Sequence, residues 1–152
     1  MNYAEIIKLV NIYSCKVNLL YGELAKRQGL SLYYMMVFDA VAQSQPCTQK
    51  QISEEWLLPK QTVNAVVKDM QFQGIVTISP GKNKKEKLVS FTDIGIHTYQ
   101  KMMESTNQIE KRVVEQMGEN ECLAALHAIE KYAEFFEKEL HNTRNNSTNM
   151  EV

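Results

Sequence analysis

The sequence predicts a mainly α-helical fold with one small β-hairpin. Apolar residues recur at steps of three and four over residues 3–27 and again over residues 92–141, which is the spacing of amphipathic helices. Two shorter helical patterns lie between them, on either side of a break at residues 57–59. Two apolar segments then flank a glycine- and lysine-rich turn, as the strands of a hairpin do.

The first two helices are predicted from periodicity and from their boundary residues. An apolar stripe runs along residues 3–27 and comprises Ile6, Val10, Tyr13, Val17, Leu20 and Leu24. Gly29 ends this helix, and Ser31 is placed to cap a second one over residues 32–43. The second helix is apolar on several sides, so we expect it to be buried.

The two central helices are short and close together in the sequence. A polar-capped helix over residues 48–56 is followed by the break, and a second helix over residues 60–72 stops at Gly74. The break offers no hydroxyl side chain that could cap the second helix. Pro59 can take the first position of this helix, where its missing N–H would be unpaired anyway.

A basic hairpin follows the helix pair. Strands are predicted over residues 75–79 and 88–91, and the tip between them is rich in lysine. A helix pair followed by such a hairpin is the plan of a winged helix-turn-helix. That plan places one helix in the major groove of DNA and the hairpin on the backbone or in the minor groove. We call the hairpin, residues 75–91, the wing.

Long helices at both ends of the chain carry more apolar surface than a winged helix can cover. Thr92 is placed to cap a helix reaching about residue 117, and Gly118 separates it from a last helix over about 119–141. The economical arrangement packs the terminal helices against the same elements of a second subunit. We therefore expect a homodimer whose recognition helices lie about 34–36 Å apart.

Together these elements predict one domain over residues 1–142. Residues 1–30 and 95–142 supply dimerisation helices, and residues 31–94 form the winged-helix lobe. The predicted fold class is therefore mainly α with a small β-hairpin, a winged helix-turn-helix plus a helical dimerisation region. Residues 143–152 are rich in Asn, Thr and Ser, which predicts a disordered tail.

Charge is distributed unevenly along a chain whose formal net charge is −1. Residues 46–92 hold seven lysines against four acidic residues, a net charge of +3. A basic face on a mildly acidic body localises attraction for nucleic acid on one side. The sequence shows no signal peptide, membrane-spanning run, catalytic motif or metal-binding spacing. We expect a cytoplasmic protein that is not an enzyme and uses no cofactor, metal or membrane.

The second central helix separates into an apolar and a polar face. Val63, Val66, Val67 and Met70 are expected in the core, and polar side chains lie opposite. Asparagine and glutamine can bind adenine through two hydrogen bonds, and lysines suit phosphates. An ordinary solvated helix face is the alternative for each amide taken singly. The candidate DNA contacts are Thr48, Gln49, Lys60, Gln61, Thr62, Asn64, Ala65, Lys68, Lys82, Asn83, Lys84, Lys85 and Lys87.

Three segments of the sequence match the pattern of a known family, and they are Thr48-Gln-Lys-Gln-Ile-Ser-Glu-Glu-Trp, Pro59-Lys-Gln-Thr-Val-Asn-Ala-Val-Val-Lys-Asp-Met-Gln-Phe-Gln-Gly-Ile-Val and Lys87-Leu-Val-Ser-Phe-Thr-Asp-Ile-Gly. With these segments, the sequence over residues 5–141 resembles the MarR family of bacterial transcription regulators. The resemblance implies an obligate homodimer that binds double-stranded DNA, with a recognition helix at 60–73. It also implies repression that a ligand or an oxidant relieves, and hence a small-molecule effector.

Two features depart from the family pattern. The family's wing commonly carries Asp-x-Arg, and the matching positions here are Asn83 and Lys85. Lysine is a hydrated point charge that enters a narrow groove less readily than arginine, so we expect the wing to contact phosphates. Many members have Gly and Ser where this chain has Leu57 and Leu58.

Several further residues have two interpretations. Cys15 and Cys122 fall on helices and are expected to be buried, inert thiols, whereas Cys47 falls in a loop and is expected to be exposed. One group of apolar and aromatic side chains fits either the core or a ligand pocket, and it comprises Tyr33, Tyr34, Met35, Met36 and Trp56. The alternative function is a winged-helix protein-interaction module that does not read DNA. Steep weakening of binding with salt would separate a DNA reader from that alternative.

Overall fold

A computed structural model describes the backbone of residues 2–83 and 86–148 and the side chains within these ranges as far as residue 143. Its elements are α1 (Tyr3–Arg27), α2 (Leu32–Ser44), β1 (Cys47–Thr48), α3 (Gln49–Glu55), α4 (Lys60–Phe72), β2 (Val76–Pro80), β3 (Lys87–Phe91), α5 (Asp93–Met117) and α6 (Glu119–Thr148). The chain divides into two compact units, Met1–Thr106 and Asn107–Val152. The predicted class, mainly α with a small β-sheet, is confirmed. No helix within the described residues is long and apolar enough to cross a membrane.

The predicted helix caps form hydrogen bonds in the structure. The Ser31 hydroxyl accepts from the Tyr34 backbone N–H at 3.1 Å. The Thr92 hydroxyl accepts from the Gly95 N–H at 3.0 Å and donates to the Gly74 carbonyl at 2.6 Å. Thr92 therefore both starts α5 and holds it to the turn after α4.

The turn between α3 and α4 differs in detail from the prediction. Pro59 lies at the N-cap of α4 and not at its first helical position, and its carbonyl accepts the first helical bond from the Val63 N–H at 3.1 Å. As predicted, α4 has no side-chain cap. Leu57 has a φ of +52°, in the left-handed region that glycine favours. The buried Ser53 hydroxyl donates to the Leu58 carbonyl at 2.7 Å and closes the turn.

The sheet has three strands, one more than the sequence predicted. All pairs are antiparallel, in the order β1-β3-β2, and Ile78 lies opposite Val89 in the wing. The additional strand β1 pairs Cys47 with Val89. The expectation that Cys47 is exposed is wrong, because this pairing turns its side chain into the core, where 1% of it is exposed. A two-residue strand is too short to show the alternation that reveals strands in a sequence.

One core joins α2, α3, α4 and the start of α5 to the sheet, while Ala25 of α1 packs with Met35 and Met103 in a second, smaller cluster. Phe38 is fully buried at its centre, and its ring packs edge-on against those of Tyr34, Phe91 and Tyr99 at centroid distances of 5.9, 5.3 and 5.3 Å. The Tyr99 hydroxyl also donates to the Asp39 carboxylate at 2.5 Å. These contacts fix α2, β3 and the start of α5 relative to one another.

The aromatic and methionine residues with two interpretations lie mostly in this interior. Met35 is buried, Tyr34, Met36 and Trp56 are partly buried against the core, and Tyr33 is 51% exposed. The core interpretation therefore describes four of the five residues.

In the second unit, α6 is longer than expected and runs through residues 143–148, where the sequence predicted a disordered tail. No glycine or proline interrupts the chain between residues 119 and 148, so nothing in the backbone forces the helix to end earlier. The rest of the predicted tail, residues 149–152, lies outside the described residues. The assignment of residues 1–30 and 95–142 to dimerisation stays a prediction.

The apolar stripe of α6 is exposed to solvent. Ile129 is 68% exposed, and Leu126, Phe135, Phe136 and Leu140 are each more than half exposed. A similar exposed set lies on α1 and includes Tyr3, Tyr13, Val17, Leu19 and Leu20. Exposed apolar stripes of this kind are typical of helices that pack against another molecule.

Candidate nucleic-acid interface

The helix α4 presents one face to the core and one to solvent, as predicted. Val63, Val67 and Met70 are completely buried, and Val66 packs partly buried against the same core. The exposed side chains on the other face are Lys60, Gln61, Ala65 and Lys68, while Thr62 and Asn64 are half-buried. The burial anchors α4 while leaving a polar surface along its length.

A cleft of about 570 Å³ lies between the start of α3, the polar face of α4 and the wing. Its lining residues are Thr48, Gln49, Lys50, Asn64, Lys68, Gln71, Ile78, Asn83, Glu86 and Lys87. We call this surface the wing cleft. It holds three lysines and one glutamate beside several amides, so it combines positive charge with groups that both donate and accept hydrogen bonds.

A second, shallower cleft of about 500 Å³ extends the same surface towards the N-terminus of α4. It is lined by Gln49, Lys50, Lys60, Gln61 and Asn64. Three of these residues, Gln49, Lys50 and Asn64, line both clefts. They therefore form the centre of a continuous polar surface.

Gln49 and Asn64 contact each other across this centre. The Asn64 side-chain Nδ2 donates to Gln49 Oε1 at 3.1 Å, in a partly buried hydrogen bond that joins α4 to α3. A hydrogen bond between two side chains typically contributes about 1 kcal/mol, so we expect the loss of Asn64 to lower stability by about that amount.

The Thr48 side chain is engaged in a capping box at the start of α3. Its hydroxyl accepts from the Gln51 N–H at 3.1 Å and donates to Gln51 Oε1 at 3.0 Å, while its own N–H donates to Gln51 Oε1 at 2.8 Å. The predicted phosphate contact from the Thr48 hydroxyl would require this donor to leave Gln51. The immediate role of Thr48 is to begin α3 and so to place Gln49.

The wing tip is held by Asn83 and Glu86. Asn83 Oδ1 accepts from the Glu86 N–H at 3.0 Å, and the Glu86 carboxylate accepts from the Lys82 N–H at 2.8 Å. Asn83 therefore shapes the turn with the oxygen that could otherwise contact DNA. Lys84 and Lys85, two of the predicted contacts, lie outside the described residues.

The structure gathers many, but not all, of the predicted contacts into the two clefts. Thr62, Ala65 and Lys82 line neither of them. Sequence reasoning missed Lys50, Gln71, Ile78 and Glu86, which do line the wing cleft. The signal for Gln71 was available, because positions 64, 68 and 71 follow steps of four and three along one helical face.

Two groups near this lobe have raised pKa values. Burial raises the pKa of the Cys47 thiol to about 11, and the Glu55 carboxylate contributes in the same direction. Burial likewise raises the pKa of Tyr34 to about 12, with a smaller contribution from the Asp69 carboxylate. Cys47 is thus protonated near neutral pH and is a poor nucleophile.

The other two cysteines also differ from expectation. Cys15 is exposed and Cys122 is partly exposed, whereas both were expected to be buried. The apolar stripes of α1 and α6 are themselves exposed in the chain, so a helical position on or beside such a stripe does not imply burial. The described residues contain no cluster of His, Cys, Asp or Glu that could hold a metal ion.

Comparison with known proteins identifies the lobe that carries this surface. The model of the MarR family matches residues 28–85, which include α2, α3, α4 and the first wing strand. The winged-helix lobe therefore matches the MarR family. The match to this family of transcription regulators confirms the resemblance carried by the residues after Thr48 and Pro59.

Solved structures of MarR-type regulators are similar to this chain over most of its length. A MarR family regulator from Neisseria meningitidis is 26% identical, with a TM-score of 0.78 over 94% of this chain and 99% of that one. A MarR/EmrR family transcriptional regulator from Acinetobacter sp. ADP1 is 16% identical, with a TM-score of 0.74 over 91% and 99%. No curated protein matches this sequence.

A third similar structure is that of BpsR from Bordetella bronchiseptica, described for the regulation of its DNA binding by 6-hydroxynicotinic acid. It is 15% identical, with a TM-score of 0.70 over 88% of this chain and 96% of that one. At this identity the likeness concerns the MarR fold alone.

Proposed function

We propose that this MarR-type chain is a ligand-responsive repressor that binds a palindromic operator as a homodimer. The observation that carries the proposal is the polar surface centred on Gln49 and Asn64. It brings together amides that can read base edges and cations that can bind phosphates. A surface that mixes both kinds of group fits sequence-specific recognition of DNA better than a purely electrostatic contact.

In this proposal α4 is the recognition helix and lies in the major groove. Asn64 and Gln61 face base edges, where an amide supplies the donor and acceptor that adenine requires. Lys68 and Lys87 line the wing cleft and contact phosphates. Phosphate contacts are proposed for the other wing lysines as well. The apolar face of α4 stays packed in the core and keeps the helix rigid.

The homodimer is supported by the exposed apolar residues on α1 and α6. These helices expose aromatic and aliphatic side chains such as Tyr13, Leu126 and Phe136 to a degree that is rare on a monomeric protein. A two-fold axis would place two recognition helices about one turn of DNA apart, so the operator should be a palindrome with half-sites separated by about 34–36 Å.

Ligand response is supported by the shared architecture. The DNA binding of the similar Bordetella protein is described as regulated by 6-hydroxynicotinic acid. We propose that a small organic molecule likewise lowers the affinity of this chain for its operator, which makes it a repressor released by an effector.

Selection of binding sites from random duplexes tests the proposal. The purified protein should enrich a palindrome and should have twice the mass of one chain in light scattering. Lys68→Ala and Lys87→Ala should each lower the slope of log K against log salt by roughly one unit, since each removes one phosphate contact. Lys101→Ala, an exposed lysine on α5 outside the wing cleft, is the matched control and should leave the slope unchanged.

Two results would contradict the proposal. If no sequence is enriched and binding to duplex DNA is insensitive to salt, the chain is a protein-interaction module. If an asymmetric site is enriched by a monomer, the dimer and the palindrome are both wrong.

A further inference from the structure

We propose that Gln49 is a positioning residue that sets the orientation of the Asn64 amide and thereby determines which base this residue selects. The inference rests on the proposed function, because it concerns how the same surface reads DNA. It goes beyond the assignment of α4 as the recognition helix, since it gives a specificity role to a side chain on the preceding helix.

The geometry of the pair carries the inference. Gln49 is the first residue of α3, and the capping box between Thr48 and Gln51 fixes the backbone at that position. From there Gln49 Oε1 accepts a hydrogen bond from Asn64 Nδ2 at 3.1 Å. Both side chains are half-buried, so the bond is partly shielded from water.

The oxygen and the NH2 group of a side-chain amide have nearly the same shape, so the amide can rotate by half a turn and exchange its donor and acceptor ends. In the structure Gln49 presents Oε1 to Asn64, and with this acceptor in place only the Nδ2 end of Asn64 can bond to it. One N–H and Oδ1 of Asn64 then remain without a protein partner among the described residues.

The groups left over match one base. Adenine presents an acceptor at N7 and a donor at N6 in the major groove, so it needs one N–H and one carbonyl oxygen. Guanine presents two acceptors, at N7 and O6, and would need two donors. With its amide held by Gln49, Asn64 is organised for adenine before DNA binds.

Three substitutions at position 49 compare a side chain that accepts hydrogen bonds, one that forms none and one that only donates them. Gln49→Glu keeps an acceptor and should preserve the base preference, although its charge weakens binding to all duplexes alike. Gln49→Met keeps the length without the acceptor and should reduce discrimination at the Asn64-dependent operator position by about fivefold. Gln49→Lys offers only donors, so it should turn Oδ1 towards position 49 and shift the preference towards guanine.

A double-mutant cycle identifies the route of the effect. The operator position that depends on Asn64 is defined as the one whose base preference Asn64→Ala lowers most. In that background Gln49→Met should change the preference no further, because it acts through Asn64. Gln73→Met is the matched control, since the Gln73 amide donates to Asp69 at 2.6 Å and does not line either cleft.

Competition binding on duplexes that carry each base at this position gives the readout, and thermal melting checks that each variant is folded. The inference is wrong if the Gln49→Met protein discriminates between the bases as well as the unmodified protein does. It is also wrong if Gln49→Met still lowers the base preference in the Asn64→Ala background, because Gln49 would then contact the base directly. Either result leaves the proposed function intact. Failure of the unmodified protein to prefer any base would refute the proposed function and this inference with it.

Discussion

Leu57 lies in the turn that leads into α4, and its backbone is strained. Its φ is +52°, while its side chain is 89% exposed. A leucine there has a Cβ crowded against the backbone and gains little from burial. We expect Leu57→Gly to stabilise the protein, because glycine adopts this conformation freely.

The magnitude follows from two opposing contributions. Removing Cβ from a left-handed residue relieves about 1–2 kcal/mol. The greater freedom of glycine in the unfolded chain costs about 0.4–1 kcal/mol. The net gain should be about 0.5–1 kcal/mol, or roughly 1–4 °C in Tm for a domain of this size.

Chemical denaturation measures the free energy of unfolding. All variants are compared at one protein concentration, because the stability of any self-associating protein depends on concentration. Leu57→Ala is the first control: it keeps Cβ and the strain and should change stability little. Leu58→Ala is the second, because Leu58 is only 5% exposed and its truncation should cost about 2–5 kcal/mol. A loss of stability in Leu57→Gly comparable to that of Leu58→Ala would refute the reasoning.

Two further predictions concern the interior of the same lobe. A Cβ at Gly95 would overlap the Ile75 carbonyl oxygen, so Gly95→Ala should destabilise the fold. A Cβ at Gly22 on α1 meets no neighbour, so Gly22→Ala should stabilise the fold by up to about 1 kcal/mol. Equal effects of the two substitutions in thermal melts would contradict the packing at Gly95. Cys47 should resist iodoacetamide at pH 9 while the exposed Cys15 reacts, as peptide mass spectrometry would show. Since the folded-state pKa of Cys47 is raised to about 11, the stability it contributes should be complete below its ordinary pKa of 9.0 and fall as the pH rises towards 11. Rapid modification of Cys47 in the folded protein would count against its burial.

The sequence by itself determined most of the secondary structure. The helix α4 was predicted at the bounds it has, because its apolar period is regular and Gly74 follows it with a φ of +70°, which a helix-ending turn requires. The caps at Ser31 and Thr92 were equally readable, since capping depends on residues three apart in the chain. Local chemistry suffices for features of this kind.

Sequence reasoning failed at the strand β1 and at the end of α6, and at β1 the deciding contact was distant along the chain. The strand β1 exists because Cys47 pairs with Val89, and the same pairing buries a thiol that was expected in a loop. The helix α6 extends past its predicted end. Residues 143–148 have low helix propensity, but propensity is a weak preference and does not by itself end a helix.

The candidate site also has features that the sequence predicted and features that only the tertiary structure decided. The periodicity of the sequence was enough to identify the polar face of α4 and to place Asn64 and Lys68 on it. Residues three or four apart in sequence lie on the same face of a helix. Only the tertiary structure joined Asn64 to Gln49, fifteen residues earlier, and set Glu86 into the wing cleft. Both depend on how α3, α4 and the wing pack on the shared core, and packing between elements leaves no periodic signal in a single sequence.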